Sequence, residues 1–164
     1  MGTAIKASLA ALKQRIGNID NYVAKQLDYK LNDLSKYFSA EQVDALGLAI
    51  DNISNGGGFI IGDQTGIGKG RIVAGLIKYA IKNGKTPIFV TEKPNLYGDM
   101  MRNLTDIGMP DVKPFMTNSG EEIPLDQDAL NWLDEKEKAK ANGDKSPARY
   151  GKFLKTPGNT TALM

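Results

Sequence analysis

No histidine and no cysteine occur anywhere in the 164 residues, so Ser-His-Asp and Cys-His nucleophilic catalysis, disulfides and cysteine or histidine metal sites are excluded together. Catalysis on this chain must run on carboxylates, lysines, arginines, backbone dipoles and a hard metal. The length suits one domain, 41% apolar and 24% charged residues are ordinary for a globular protein, and a net charge of +2 is too small to imply a nucleic-acid partner by itself.

The N-terminal third carries helical periodicity. Residues 4–16 place Ile5, Leu9, Leu12 and Ile16 on one face, with Gly17 as the stop. A second helix is expected from about Asp20 to Tyr37, its stripe being Val23, Leu27, Leu31 and Leu34. A third spans Ala40 to Ile53, with Val43, Leu46, Ile50 and Ile53 inward, until Asn55-Gly56-Gly57-Gly58 breaks the chain. The period then changes. Phe59–Ile61 is expected as a short buried strand, followed by a glycine-rich turn and a helix to about Lys82 carrying Val73, Leu76, Ile77, Ala80 and Ile81, which Asn83-Gly84 ends. Pro87–Thr91 is a second expected strand, Asn95 caps a helix bearing Met100, Leu104 and Ile107, and Val112–Met116 is a third strand. Strand alternating with helix predicts an α/β fold with a parallel sheet, preceded by an N-terminal helical segment. The expected domains are 1–37, the helical segment; 38–118, the nucleotide-binding core; and 119–164, a charged connector. In that connector six acids of 119–135 give way to seven bases against two acids in 136–155, a solvated helix and loose linker, or a basic contact for nucleic acid. No apolar run approaches a membrane span, and the N-terminus lacks the apolar core of a secretory signal.

The chemistry concentrates in Gly62-Asp63-Gln64-Thr65-Gly66-Ile67-Gly68-Lys69-Gly70-Arg71, between the first expected strand and its helix. Gly66 and Gly68 let successive backbone N–H groups turn toward an anion. Lys69 brings a cation to the outer phosphates, and the helix adds its positive dipole end. The strict phosphate-loop pattern G-x-x-x-x-G-K-[ST] is missed twice: Asp63 stands for the first glycine and Gly70 for the magnesium-binding hydroxyl. The candidate nucleotide contacts are Thr65, Gly66, Ile67, Gly68, Lys69, Gly70 and Arg71. ATP is the expected ligand, with Mg2+ held without a loop hydroxyl. Asp63 is a weaker magnesium candidate, through water.

Gln42, upstream of the loop and behind Tyr37 and Phe38, has two roles open to it. Its amide can read the N6/N7 edge of adenine, and Ser39-Ala40-Glu41-Gln42 is also a capping box. Asp134-Glu135 resembles a magnesium acid and its catalytic partner, but it follows an amphipathic helical stretch rather than a buried strand, and no catalytic or metal residue is assigned there. Lys93, Asn95 and Arg102, after the second expected strand, could meet a nucleic-acid backbone or serve as cap and surface charge.

Leu34-Ser35 through Gln42 and Ala45, the run GFIIGDQTGIGKGRIVAGLI and the run PIFVTEKPNLYGDMMRNLTDIG together resemble the strawberry-notch family of superfamily 2 helicase-like ATPases of animals, bacteria and phages. The match covers about residues 38–116, and its most specific element is Gly68-Lys69-Gly70-Arg71, since this family carries G-K-G-R in place of G-K-T. The resemblance implies a partial, RecA-like first lobe that binds ATP through Gly66, Gly68, Lys69 and Gly70, with Gln42 as adenine reader and Thr91–Asn95 near nucleic acid. It implies DNA and the remaining domains of a parent motor as partners, a bacterial or phage-infected cytoplasm as location, and ATP hydrolysis only in the full-length protein, because the acidic motif and the second-lobe arginine of such motors are not found in this sequence. The alternative is a stand-alone nucleotide-binding module, without hydrolysis, whose N-terminal helices dock a partner. A small phosphate-loop kinase is disfavoured for want of an arginine-rich lid.

Overall fold

The computed structural model describes residues 2–62, 68–92, 95–115 and 123–154. They fall into two compact units, Met1–Ile88 with Asp106–Met109, and Phe89–Thr105 with Pro110–Met164.

The first unit is a helical cluster. α1 (Thr3–Ile16) stops at Gly17, whose φ of 79° suits glycine and whose N–H donates to the Lys13 carbonyl. α2 (Ile19–Leu27) starts under Asn18, whose side chain accepts from the Asn21 N–H. Asp28 then turns left-handed at φ 60° and ends α2. The long second helix expected from Asp20 to Tyr37 is therefore three pieces: α2, a 3-10 turn at Leu31–Asp33, and α3 (Leu34–Tyr37). α4 (Ala40–Ser54) opens with a complete capping box between Ser39 and Gln42. α5 (Lys69–Lys82) starts after Gly68.

α4 is the hub, packing on α1, α2 and α5. Leu12, Val23, Leu27, Leu46, Ile50, Ile72 and Ile107 are fully or almost fully buried, and burial of each such side chain contributes about 1.5–3 kcal/mol. Two glycines set how closely the helices approach. A Cβ on Gly47 of α4 would stand 2.7 Å from Ile19 Cγ2, and one on Gly75 of α5 would stand 2.8 Å from Leu46 Cδ2. This close seat decides which face of α5 is covered: Ile72, Gly75 and Tyr79 face inward, while Val73, Leu76, Ile77, Ala80 and Ile81 of the expected stripe remain half-buried or exposed.

In the second unit, α6 (Asn95–Asp106) contributes as far as Thr105. β1 (Ile123–Pro124) pairs antiparallel with β2 (Phe153–Leu154), Ile123 opposite Leu154 and Pro124 opposite Phe153. α7 (Gln127–Asn142) carries Trp132, whose ring meets Phe153 edge-on at 5.3 Å and whose indole N–H donates to the Pro147 carbonyl at 3.3 Å. The Arg149 guanidinium lies 4.3 Å over the Phe153 ring. Gly98 lies so close to the Pro124 carbonyl that a Cβ there would overlap it.

The expected α/β fold with a parallel sheet is corrected by these elements. The sheet among the described residues is the two-stranded antiparallel β1–β2 pair. Phe59–Ile61, Pro87–Thr91 and the described part of Val112–Met116 form no strand. A strand exists only where a neighbour satisfies its backbone N–H and C=O groups, and an apolar run cannot announce that neighbour. Ile60, Ile88 and Val90 are 91%, 86% and 82% exposed, not buried as parallel strands are.

Asp126 ties α7 to β2. Its carboxylate accepts from the Ala129 N–H at 2.9 Å as N-cap and from the Lys152 N–H at 3.0 and 3.1 Å. The Lys152 amide, then the Ala129 amide, hold its pKa below the ordinary carboxylate value. A folded-state pKa lowered in this way gives stability that is fully present above the unfolded value and is lost as pH falls through the lowered folded one. The Lys152 amide is expected to lose hydrogen-exchange protection on acidification, and Asp126→Asn to remove most of that pH dependence. An identical acid profile in the variant would show that the carboxylate does not hold this joint.

Candidate nucleotide site

Gly68 is the N-cap of α5, with φ 75° and ψ 37° in the left-handed region. The backbone angle favours glycine there, and a Cβ would displace the Gln42 amide that lies against it. The Gly68 carbonyl accepts the Arg71 N–H at 2.9 Å and the Gln42 Nε2 at 3.4 Å. The same glutamine keeps its capping role, its Oε1 accepting the Ser39 N–H at 3.0 Å while its own N–H donates to Ser39 Oγ at 3.4 Å. Gln42 thus joins the start of α4 to the start of α5. The capping half of that link was legible in Ser39-x-x-Gln42; the contact with Gly68 was not.

The first turn of α5 holds Lys69, Gly70 and Arg71 and no acidic residue. Its positive end is therefore not neutralised from within the helix, which fits an anion. Lys69 and Gly70 both stand half-buried at this end. Arg71 is turned elsewhere: Nη1 donates to the Tyr37 carbonyl at 3.2 Å, and Nη2 pairs with Asp106 Oδ2 at 2.6 Å. Around it, Tyr37 stacks on Tyr29 at 4.6 Å, Lys78 lies 4.0 Å over the Tyr29 ring, and the Tyr29 hydroxyl donates to the Ile107 carbonyl. Burial first, and the neighbouring Tyr37 second, push the Tyr29 phenol well above its ordinary pKa, so it remains a donor. Asp106 and Tyr37 are partners that sequence reasoning missed; nothing in the chain marks a pair 35 positions apart.

Thr65, Gly66, Ile67 and Asp63 lie outside the described residues, as does Lys93. Arg102 pairs with Asp99 one turn earlier on α6. Asp134 and Glu135 stand exposed on α7. For magnesium, the first turn of α5 offers no hydroxyl, and no cluster of three or more potential acidic ligands occurs among the described residues.

A cleft of about 840 Å³ beside Phe59–Gly62 is lined by α1 and α4. Glu41, Asp44 and Asp51 line it, with Asp51 paired to Arg15 at 2.5 Å, and burial raises the Asp44 carboxyl pKa. Those carboxylates oppose a triphosphate.

Glycine-rich loop, lysine and helix N-terminus define a phosphate-binding class. Residues 10–138 match the family described as P-loop containing NTP hydrolase pore-1, and the chain belongs to that family. It is also 33% identical over 75 residues to Protein strawberry notch of Drosophila melanogaster, in a match covering 45% of this chain and 4% of that protein. The strawberry-notch resemblance is thus borne out. No solved structure matches. No helix among the described residues is long and apolar enough to cross a membrane.

Proposed function

We propose that this chain is the ATP-binding part of an ATP-driven DNA helicase or translocase that hydrolyses ATP only in the whole protein. The observation that carries the reading is the start of α5: a left-handed Gly68, then Lys69 and Gly70, in a first turn free of acidic residues, in a chain of the P-loop NTP hydrolase family. Lys69 meets the outer phosphates, and Thr65, Gly66, Ile67, Gly68 and Gly70 supply backbone around them. Gln42 is the adenine reader of this proposal, offering the base the same amide that caps α4 and meets Gly68, and Arg71 completes the first turn. Magnesium, when bound, neutralises phosphate oxygens. In this reading the partners are DNA and the other domains of the parent motor, and the setting is cytoplasmic; the family resemblance of the sequence supports it. Phosphoryl transfer also needs an oriented water and an arginine for the developing charge, which this reading assigns to those domains. DNA contact by this chain alone is weak and salt-sensitive, since few lysines and arginines meet phosphates.

The test is titration of a fluorescent ATP analogue into the purified chain, with and without magnesium. Saturable binding that ATP displaces is expected; its absence would overturn the nucleotide reading. Because Gly70 replaces the usual hydroxyl ligand, much of the affinity should survive EDTA, and Gly70→Thr should make binding more magnesium-dependent. Near-complete loss of wild-type binding in EDTA would refute the magnesium part alone.

A further inference from the structure

We propose that Arg71 is a positioning residue of the nucleotide site: its guanidinium clamps the first turn of α5 to Tyr37 and Asp106 and so sets where Lys69 and Gly70 stand. The inference rests on the nucleotide reading above. A guanidinium is a planar fork that can serve two acceptors at once. Here one nitrogen takes the Tyr37 carbonyl at 3.2 Å and the other takes Asp106 at 2.6 Å. Both acceptors are held in turn. Tyr37 stacks on Tyr29, and the residue after Asp106, Ile107, is fully buried and gives its carbonyl to the Tyr29 hydroxyl.

A second bond runs in the opposite sense. Gln42 reaches from α4 to the Gly68 carbonyl, which also takes the Arg71 N–H. The turn that presents Lys69 is thus fastened from both sides to residues 37–42, by a side chain of its own and by one from across. The Arg71 charge is already matched by Asp106, so its stronger service to an anion is to fix the amides and the lysine beside it. Asp106 shares that task while contributing only a negative charge, which sets the two roles apart experimentally.

The experiment measures affinity for the fluorescent ATP analogue, and for inorganic triphosphate by competition, in the full chain. The variants are Arg71→Ala, Arg71→Lys, Asp106→Ala, Asp106→Glu and Arg71→Ala/Asp106→Ala, each with its melting temperature, and Lys69→Ala is the control. Arg71→Ala and Asp106→Ala should each weaken both probes about threefold to tenfold, and the double variant no more than the worse single one, as coupled residues do. Arg71→Lys should behave like Arg71→Ala because an ammonium lacks the fork, while Asp106→Glu keeps most affinity. A loss of about a hundredfold in Arg71→Ala, with Asp106→Ala unchanged or tighter and Arg71→Lys intact, would overturn the proposal in favour of direct phosphate contact. Lower melting temperatures with unchanged affinities would overturn it in favour of a purely structural pair. Loss of binding in Lys69→Ala alongside an additive double variant sinks the clamp alone; equal binding by Lys69→Ala and wild type sinks the nucleotide reading, and the clamp with it.

Discussion

Lys69→Ala is expected to weaken nucleoside triphosphate binding by about tenfold to a hundredfold, since a hydrogen bond to a charged group is worth about 1.5–3 kcal/mol. Lys69 is the first residue of α5, directly after the left-handed Gly68, so truncation removes the cation at the point where the helix end gathers positive potential. The fold should survive, because Lys69 is half-buried and no member of the hydrophobic core. Melting temperature and far-ultraviolet circular dichroism should therefore match wild type. The loss should be larger for a triphosphate than for a monophosphate, because the lysine reaches outer phosphates. An unchanged affinity for the fluorescent analogue would remove Lys69 from the site.

The largest effect on stability is expected from Leu46→Ala. Leu46 is fully buried on α4 and lies against Gly75 of α5. Its truncation leaves a cavity where these helices meet, and such changes cost about 2–5 kcal/mol. Against a total of roughly 5–15 kcal/mol for a domain this is a large share. Thermal denaturation should move down by about 5 °C or more. Ile5→Ala is the matched control: Ile5 is 44% exposed on α1, and a surface change of that kind stays within about 0.5 kcal/mol. Equal melting temperatures for the two variants would show that α4 is not the hub of the first unit.

Helix periodicity and caps were legible in the chain because they are local. The stripe of α4, the Ser39–Gln42 capping box, Gly17 after α1 and the start of α5 after Gly68 all follow from residues within one or two turns. The break at Asp28 was not, because Val23, Leu27, Leu31 and Leu34 keep a helical spacing through it, and a left-handed aspartate carries no signature of its own. The family was legible too, since glycine, lysine and a helix start in that order are a local sequence pattern, and the chain belongs to the P-loop NTP hydrolase family. The residues themselves therefore determined the helices, their caps and the family.

Tertiary structure alone decided the rest. Whether Phe59–Ile61 and Pro87–Thr91 become strands depends on partners elsewhere in the chain, and the described residues provide none. Which face of α5 is buried depends on Gly75 meeting Leu46. Where Arg71 sends its charge depends on Asp106 arriving from 35 positions away. Hydrogen-bond pairing, close packing and ion pairs all act at a few ångströms in space, while periodicity and spacing record only neighbours along the chain.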